Sequence, residues 1–442
     1  MNFHSWFQRL VVCLLASLYG WGLGLTAARG QDDFPLKDGD TWVMVGDSIT
    51  AQHLHSNYLE AYCYARFPKW NFHFRNSGVS GDTVPKVLAR FDWDVAGWKP
   101  TVVSVELGMN DAGMFTPGAF ITNMSLLADQ IARTGARPVY FTSSPINNGA
   151  ATPESREKLA TALKTFATEK KATFADQFHA LVNVWAGNKP IENIYRLAEE
   201  IHKMVSSTND LPGREQLIQW QEVWAKSDIQ KRGASLGGDP VHPGPAGQIT
   251  MCAALLQELK APGLVSRATL DAAGKVGELA QCQVSNVVVE KSGGLSFDRL
   301  DDCLPMPIPD EARGALIVYP AIADCSQWLL TVTKLKPGSY QVSMDGTALA
   351  TITADELAKG WNMGTLDKGA VAEQGRGILQ RVAAKASLVQ QWRAKASANA
   401  KTPDESLRTE MDKLNEKVLA ADAKIRETAQ PKSHHFVITP VQ

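Results

Sequence analysis

A serine lies where a predicted buried strand passes directly into a helix. The run TWVMVG, residues 41–46, is apolar enough for a buried strand, and Asp47 and Ser48 follow it. The Ser48 hydroxyl would then lie at the carboxyl end of the strand, in front of helix N–H groups and the positive end of the helix dipole. These surroundings stabilise an alkoxide and predict a nucleophile, although the position also suits a serine that caps the helix.

Two later strand ends could supply hydrogen-bond donors for a negatively charged oxygen. The predicted strand NFHFRN, residues 71–76, leads into Gly78, whose backbone N–H no side chain obstructs. The predicted strand TVVSVEL, residues 101–107, leads into Asn110, whose side-chain amide could donate a second hydrogen bond. Each residue is, taken alone, also an ordinary turn residue. Together they predict an oxyanion hole.

An aspartate and a histidine lie three residues apart in the loop DPVH, residues 239–242. A carboxylate at Asp239 can orient the imidazole of His242 and stabilise its protonated form, so that His242 could act as the base for Ser48. Taken alone, the pair would more often be two unrelated loop residues. A second serine, Ser235, lies in a match to the G-x-S-x-G motif, but its flanks predict neither the preceding strand nor the following helix that this motif requires.

The elements that position these residues alternate between strand and helix from residue 40 to about 180. Five buried strands with four intervening helices predict a parallel sheet with helices on both faces. Ligands of such sheets bind at the carboxyl ends of the strands, where all the residues above lie. The predicted strands are residues 41–46, 71–76, 101–107, 138–142 and 173–176, and the predicted helices are residues 52–66, 84–91, 117–134 and 153–170.

The four blocks resemble the signature blocks of the SGNH (GDSL-type) hydrolases. They are Gly46-Asp47-Ser48, Gly78, Gly108-x-Asn110-Asp111 and Asp239-x-x-His242, and the resemblance covers roughly residues 40–260 apart from 187–235. It implies a flavodoxin-like three-layer α/β/α fold and a Ser48–His242–Asp239 triad. It also implies an oxyanion hole made of the Ser48 and Gly78 N–H groups and the Asn110 amide. The expected reaction is hydrolysis of a carboxylic ester through an acyl-enzyme, without a metal or organic cofactor.

The substrate expected from the resemblance is an acetylated extracellular polysaccharide. Residues 74–83 and 239–247 look closest to secreted bacterial relatives of carbohydrate acetylesterases. A lipid or lysophospholipid esterase is the alternative, because the same triad serves both reactions. The alternative from another class is a non-catalytic binding or scaffold protein on an SGNH fold.

The first 30 residues have the layout of a secretory signal peptide. A short polar start precedes an apolar run over residues 10–25, and small residues follow before Gln31. We therefore expect a secreted or periplasmic protein with no stable membrane span once the signal is removed, and an uncleaved N-terminal anchor is the alternative. The net charge of -1 provides no electrostatic footprint for nucleic acid.

The predicted organisation is a hydrolase domain over residues 31–265, followed by two further parts. Residues 187–235 predict a helical insertion, in which Trp220 and Trp224 could stack on a sugar, although this spacing more often indicates packing. Residues 266–354 predict a small β module and residues 355–430 a helical hairpin, and residues 431–442 return as a strand to the β module. The predicted strands of the β module are residues 284–290, 315–319, 328–332 and 339–344.

Five cysteines follow the predicted signal peptide. Cys252 lies on an apolar helix face and is expected as a buried free thiol. One disulfide is plausible in the later segment that holds Cys282, Cys303 and Cys325. We predict no metal site, because no Cys/His spacing suits zinc and the pair His53-x-His55, expected on a helix surface, has no carboxylate at ligand spacing.

Overall fold

The structure is a computed structural model that describes residues 34–146, 154–225, 236, 238–239 and 241–441. The predicted signal peptide, residues 1–30, and Ser235 lie outside the described residues. No helix within the described ranges is long and apolar enough to cross a bilayer.

The first sheet has five parallel strands in the order β2-β1-β3-β4-β5. All five strands predicted from the apolar runs are present, and they are parallel as predicted. This order reverses the direction of winding between β1 and β3, which creates the crevice where α/β sheets bind ligands. The strands are β1 (Thr41–Gly46), β2 (His73–Gly78), β3 (Val102–Glu106), β4 (Arg137–Phe141) and β5 (Thr173–Ala175).

Helices cover both faces of this sheet, as the predicted fold class requires. Trp42 and Met44 of β1 pack into one core, whereas Val43 and Val45 pack into another, because successive side chains of a strand point to opposite faces. The helices of this part are α1 (Ser48–Ala51), α2 (His55–Arg66), α3 (Val84–Asp94), α4 (Pro117–Arg133), α5 (Glu154–Glu169), α6 (Gln177–Ser207), α7 (Arg214–Ala225) and α8 (Pro245–Glu258).

The long helix α6 starts directly after β5 and continues without a break into the predicted insertion. The chain turns at Pro212-Gly213, where Gly213 has a φ of 74°, and α7 packs back against α6. Leu197 and Met204 of α6 are about half exposed. The helix pair α6 and α7 therefore leaves apolar side chains at the surface. The connection from α7 to the loop of Asp239 lies mostly outside the described residues.

Two further sheets follow the part that contains the parallel sheet, in place of the single β module expected. One has the order β13-β10-β6-β7 and the other β12-β11-β14-β9-β8. The strands are β6 (Leu264–Asp271), β7 (Val276–Ala280), β8 (Cys282–Val289), β9 (Leu295–Asp301), β10 (Gln327–Thr333), β11 (Ser339–Met344), β12 (Thr347–Thr353), β13 (Trp361–Asn362) and β14 (Ser433–Pro440).

One predicted strand of this region is wrong. Residues 315–319 form a short helix, α9 (Ala315–Val318), that packs near α8. Periodicity cannot separate a strand from a helix in so short an apolar run, and the exposed Ile317 shows that the run is not buried on both sides.

A pair of long helices, α11 (Ala370–Lys401) and α12 (Glu405–Thr428), forms the predicted antiparallel hairpin, and the shorter α10 (Ala354–Lys359) precedes them. The cap of α12 is Asp404, whose carboxylate accepts the N–H groups of Ser406 and Leu407. Asp404, and not Thr402, therefore caps this helix, which begins at Glu405.

The five described cysteines are all free thiols, so the expected disulfide is wrong. Three of them, Cys282, Cys303 and Cys325, have sulfur atoms that face different backbone carbonyls. The Cys282 thiol donates to the Arg267 carbonyl at 3.1 Å, and the Cys303 thiol donates to the Val265 carbonyl at 3.4 Å. Cys252 is buried, as predicted, and burial raises the pKa of its thiol.

Candidate active site

Ser48 is the first residue of α1, immediately beyond the carboxyl end of β1. The cap of this helix is Asp47, whose carboxylate accepts the N–H of Ile49 at 3.0 Å. The alternative that Ser48 caps the helix is therefore wrong, and its hydroxyl is available for another partner. Only glycine fits at Gly46, because a Cβ there would lie 2.0 Å from the Thr50 hydroxyl oxygen.

A chain of three side chains links Ser48 to His242 and Asp239. Ser48 Oγ lies 2.8 Å from His242 Nε2, and His242 Nδ1 lies 2.9 Å from Asp239 Oδ2. Because a carboxylate accepts from Nδ1, that nitrogen carries the proton and Nε2 is left to accept the Ser48 hydroxyl proton. The arrangement is that of a nucleophile, a general base and a group that orients the base.

Asp239 is held by its own loop. Its Oδ1 accepts the N–H groups of Val241 at 2.7 Å and His242 at 2.8 Å. Desolvation acts to raise the pKa of Asp239, but the hydrogen bonds from the His242 backbone and ring lower it below its usual value. The carboxylate therefore stays ionised at neutral pH, which is the form that orients an imidazole.

The turn that presents Asp239 and His242 depends on Gly238, a residue that is not among the predicted site residues. Gly238 has a φ of 76°, and a Cβ there would lie 2.0 Å from the His242 carbonyl oxygen. The Asp239 N–H donates to the same carbonyl at 3.1 Å, which closes the turn. The Gln248 amide also donates to the Pro243 carbonyl at 3.3 Å and ties the loop to α8.

The two other predicted oxyanion donors lie at the ends of their strands and already have partners. The Asn110 side-chain amide donates to the Asp82 carbonyl at 2.9 Å, which leaves its second N–H for another acceptor. The Gly78 N–H donates to Asn76 Oδ1 at 2.8 Å, so this bond must be given up or shared before Gly78 can bind an oxyanion. Gly78 also has a packing role, because a Cβ there would lie 2.5 Å from the Ala51 nitrogen.

Asp111 fixes the turn that carries Asn110. Its two carboxylate oxygens accept the N–H of Val84 at 3.0 Å and the N–H of Gly108 at 3.2 Å. It is fully buried, and desolvation raises the pKa of its carboxyl group despite these hydrogen bonds. Asp111 therefore ties the loop after β3 to the N-terminus of α3.

A buried histidine–glutamate pair lies near Asp47, the residue before the proposed nucleophile. His55, expected on a helix surface, is fully buried, and its Nε2 lies 2.8 Å from Glu106 Oε2. Its Nδ1 lies 2.7 Å from Gln248 Oε1. Burial raises the pKa of Asp47 to about 7, and the nearby Glu106 carboxylate adds to the effect. The residue before the nucleophile is therefore partly protonated near neutral pH.

The two tryptophans of α7 stack on each other, with ring centroids 5.8 Å apart and an interplanar angle of 7°. Both are partly exposed, and α7 has no buried residue. Trp224 lines a groove between α7 and α6 together with His202 and Lys203. Whether Trp220 and Trp224 bind substrate stays a prediction.

The fold is that of an SGNH-type ester hydrolase. Residues 44–248 match the GDSL-like Lipase/Acylhydrolase family. The matched region includes the proposed nucleophile Ser48 and the loop of Asp239 and His242. Within the described residues, no group of three or more His, Cys, Asp or Glu side chains is placed to hold a metal ion.

Among solved structures, a gut microbial diltiazem-metabolizing enzyme has 20% sequence identity and a TM-score of 0.70, over 92% of this chain and 99% of that chain. The shared fold thus extends beyond the hydrolase part into the C-terminal sheets and hairpin. An acetylxylan esterase from Geobacillus stearothermophilus has 18% identity and a TM-score of 0.36, over 51% of this chain and 96% of that chain.

A curated relative is the uncharacterized lipoprotein YqeF of Bacillus subtilis (strain 168). It is 29% identical over 86 residues, which are 18% of this chain and 35% of that protein. The chain therefore spans about a third of the length of this relative.

Proposed function

We propose that the protein hydrolyses carboxylic esters through an acyl-enzyme on Ser48. The observation that carries the proposal is the continuous chain from Ser48 Oγ to His242 and Asp239, with separations of 2.8 and 2.9 Å. Its first atom lies at the carboxyl end of β1, beside the crevice of the sheet. The complete chain argues against a purely binding or scaffold role.

The proposed reaction has two steps. His242 Nε2 takes the Ser48 proton as Oγ attacks the ester carbonyl, and then gives that proton to the departing alcohol. A water molecule next gives a proton to Nε2 while its oxygen attacks the acyl carbon. Nε2 then returns that proton to Ser48 Oγ as the bond from Oγ to the acyl carbon breaks, which releases the acid and restores both residues. Asp239 holds the imidazole in the reactive tautomer and stabilises its cation in both steps.

The negative oxygen formed in each step needs donors that are already in place. We assign this role to the Ser48 and Gly78 backbone N–H groups and the Asn110 amide. Ser48 opens a helix, and the early N–H groups of a helix lack intrahelical acceptors. Asn110 keeps a second amide hydrogen, whereas Gly78 must first release Asn76.

We propose an acetyl ester of an extracellular polysaccharide as the substrate, and export of the protein by the signal peptide predicted over residues 1–30. The support is the sequence resemblance over residues 74–83 and 239–247 and the layout of the N-terminus. A lipid or lysophospholipid esterase is the second candidate, because the triad does not distinguish the two.

Acyl chain length tests this choice with the purified protein. We expect kcat/KM for 4-nitrophenyl acetate to exceed that for 4-nitrophenyl octanoate by at least about tenfold, a difference of roughly 1.4 kcal/mol in transition-state binding. A preference for the octanoate would favour the lipid esterase. No turnover of either ester, together with no covalent labelling of Ser48 by a fluorophosphonate, would contradict the proposed function.

The tryptophan pair on α7 is proposed to bind the sugar chain, since two parallel, partly exposed rings offer flat apolar surface. Replacing Trp220 and Trp224 with alanine should lower kcat/KM on an acetylated polysaccharide about tenfold or more and leave hydrolysis of 4-nitrophenyl acetate unchanged. Val223→Ala is the matched control, because Val223 is 71% exposed on the same helix. Equal losses on both substrates with a lower Tm would show that the pair serves packing.

A further inference from the structure

The C-terminal helical hairpin, α11 and α12, contacts the carboxyl end of β2. Arg393 of α11 binds both oxygens of Asp94, with Nε 2.5 Å from Oδ1 and Nη2 2.7 Å from Oδ2. Its remaining nitrogen, Nη1, donates to the Gly78 carbonyl at 3.1 Å. A residue about 300 positions later in the chain therefore holds the backbone of a proposed oxyanion-hole residue.

Asp94 extends this contact into a buried network of charges. Its carboxylate accepts the Ser77 hydroxyl at 2.8 Å and also pairs with Arg90. Arg90 donates to Asp82 Oδ2 at 2.8 Å and to the Ser77 carbonyl at 2.8 Å. Asp94 is fully buried and Arg90 is 7% exposed, so each charge depends on its partners. The positive charges of Arg90 and Arg393 balance the negative charges of Asp82 and Asp94.

The same loop also supports the other proposed donor. The Asp82 carbonyl accepts the Asn110 amide at 2.9 Å, and Gly78 is four residues before Asp82. The loop from Ser77 to Asp82 thus contains Gly78 and accepts the amide of Asn110. The arginine from α11 contacts one end of this loop directly and acts on the other end through Asp94 and Arg90.

The helix also contacts the segment after the nucleophile. Gln390, one turn before Arg393, has its Nε2 2.9 Å from His53 Nε2. Burial lowers the pKa of His53 to about 4, and the nearby Arg393 guanidinium adds to the effect. His53 is therefore neutral at pH 7, so it can accept the Gln390 amide hydrogen. The helix α11 thus packs against chain segments that follow both Ser48 and Gly78.

We propose that Arg393 is a positioning residue for the oxyanion hole, so that the C-terminal helical hairpin is a working part of the active site. The inference rests on the proposed ester hydrolysis. Arg393 touches no reacting atom. It holds the Gly78 carbonyl and neutralises Asp94, and through them it fixes the geometry of the donors that stabilise the transition state.

The test compares substitutions of Arg393 with respect to kcat and KM separately. We expect Arg393→Gln to lower kcat for 4-nitrophenyl acetate by about 10–100-fold and to change KM by less than about threefold, because the donors matter most in the transition state. Arg393→Lys keeps the positive charge but loses the paired N–H groups of the guanidinium, so its kcat should lie between those of Arg393→Gln and the wild type. Guanidinium ion, added at a non-denaturing concentration, should restore part of the kcat of Arg393→Ala.

Lys385→Met is the matched control for a general structural effect. Lys385 lies on the same helix and binds Asp422 and Glu60 in a separate buried cluster between α11 and the hydrolase part. We expect this variant to lower Tm and to keep kcat within about twofold of the wild type, since a buried pair is broken away from the donors.

Two results would overturn the inference while the proposed function stands. One is an active wild type with kcat of Arg393→Gln within twofold of it. The other is an equal fall of kcat in Lys385→Met and Arg393→Gln at matched loss of Tm. A wild type that neither turns over the ester nor reacts with a fluorophosphonate would instead refute the proposed function itself, and the inference with it.

Discussion

Replacing Ser48 with alanine is expected to reduce kcat for 4-nitrophenyl acetate by about 10⁴–10⁶-fold, the loss typical of a removed nucleophile in a triad. The fold should be unaffected, because Asp47 and not Ser48 caps α1. The measurement is steady-state hydrolysis together with thermal unfolding, and Tm should stay within a few degrees of the wild type. Residual activity reflects the oxyanion donors, which the substitution leaves in place.

Ser235→Ala provides the control for this experiment, because Ser235 is the other serine with a hydrolase-like motif in the sequence. We expect its kcat to remain within about twofold of the wild type, because its flanking sequence predicts neither the strand nor the helix that a G-x-S-x-G nucleophile requires. Activity of Ser48→Ala within a few-fold of the wild type would contradict the assigned nucleophile. A large loss in Ser235→Ala alone would move the assignment to that residue.

Asn110→Ala is expected to lower kcat by about 10²–10³-fold with little change in KM, since one oxyanion donor acts mainly on the transition state. The substitution also removes the hydrogen bond to the Asp82 carbonyl. Loss of that bond should cost about 1 kcal/mol of stability, which thermal unfolding measures independently of the kinetics.

Asn110→Gln separates these two effects, because it retains an amide on a side chain that is one carbon longer. The displaced amide should still give a large loss of kcat, as misplacement of about 1 Å is costly in a preorganised site. An increase in KM with unchanged kcat in Asn110→Ala would show that Asn110 binds the ground state of the substrate, and its role as an oxyanion donor would be wrong.

The parallel sheet was predictable because its strands are buried on both faces and therefore appear as apolar runs. β1 is an example, with Trp42 and Val43 both fully buried in different cores. The carboxyl ends of such strands meet at one edge, so residues following separate runs can be expected to lie together. The apolar runs therefore predict that Ser48 and Asn110 lie at the same edge of the sheet.

Other features depend on contacts between distant parts of the chain. His55 carries no sequence signal for burial, and its place between Glu106 and Gln248 follows from the packing of α2, β3 and α8. The sequence likewise does not predict that Arg393 contacts the site, because the charged face of a long helix ordinarily faces water. Two of the three cysteines in the later segment bind carbonyls of β6, which spacing alone does not reveal.

The last described strand, β14, is last in the chain order but central in its sheet. It pairs with β9 on one side and β11 on the other, and Phe436 and Ile438 on it are fully buried. During synthesis, both of those neighbours emerge from the ribosome before β14 and present unpaired backbone edges. The hairpin that bears Arg393 follows β11 in the chain, so the contact between Arg393 and Gly78 also forms late in synthesis. We therefore expect nascent chains that lack β14 to be prone to aggregation and inactive as hydrolases.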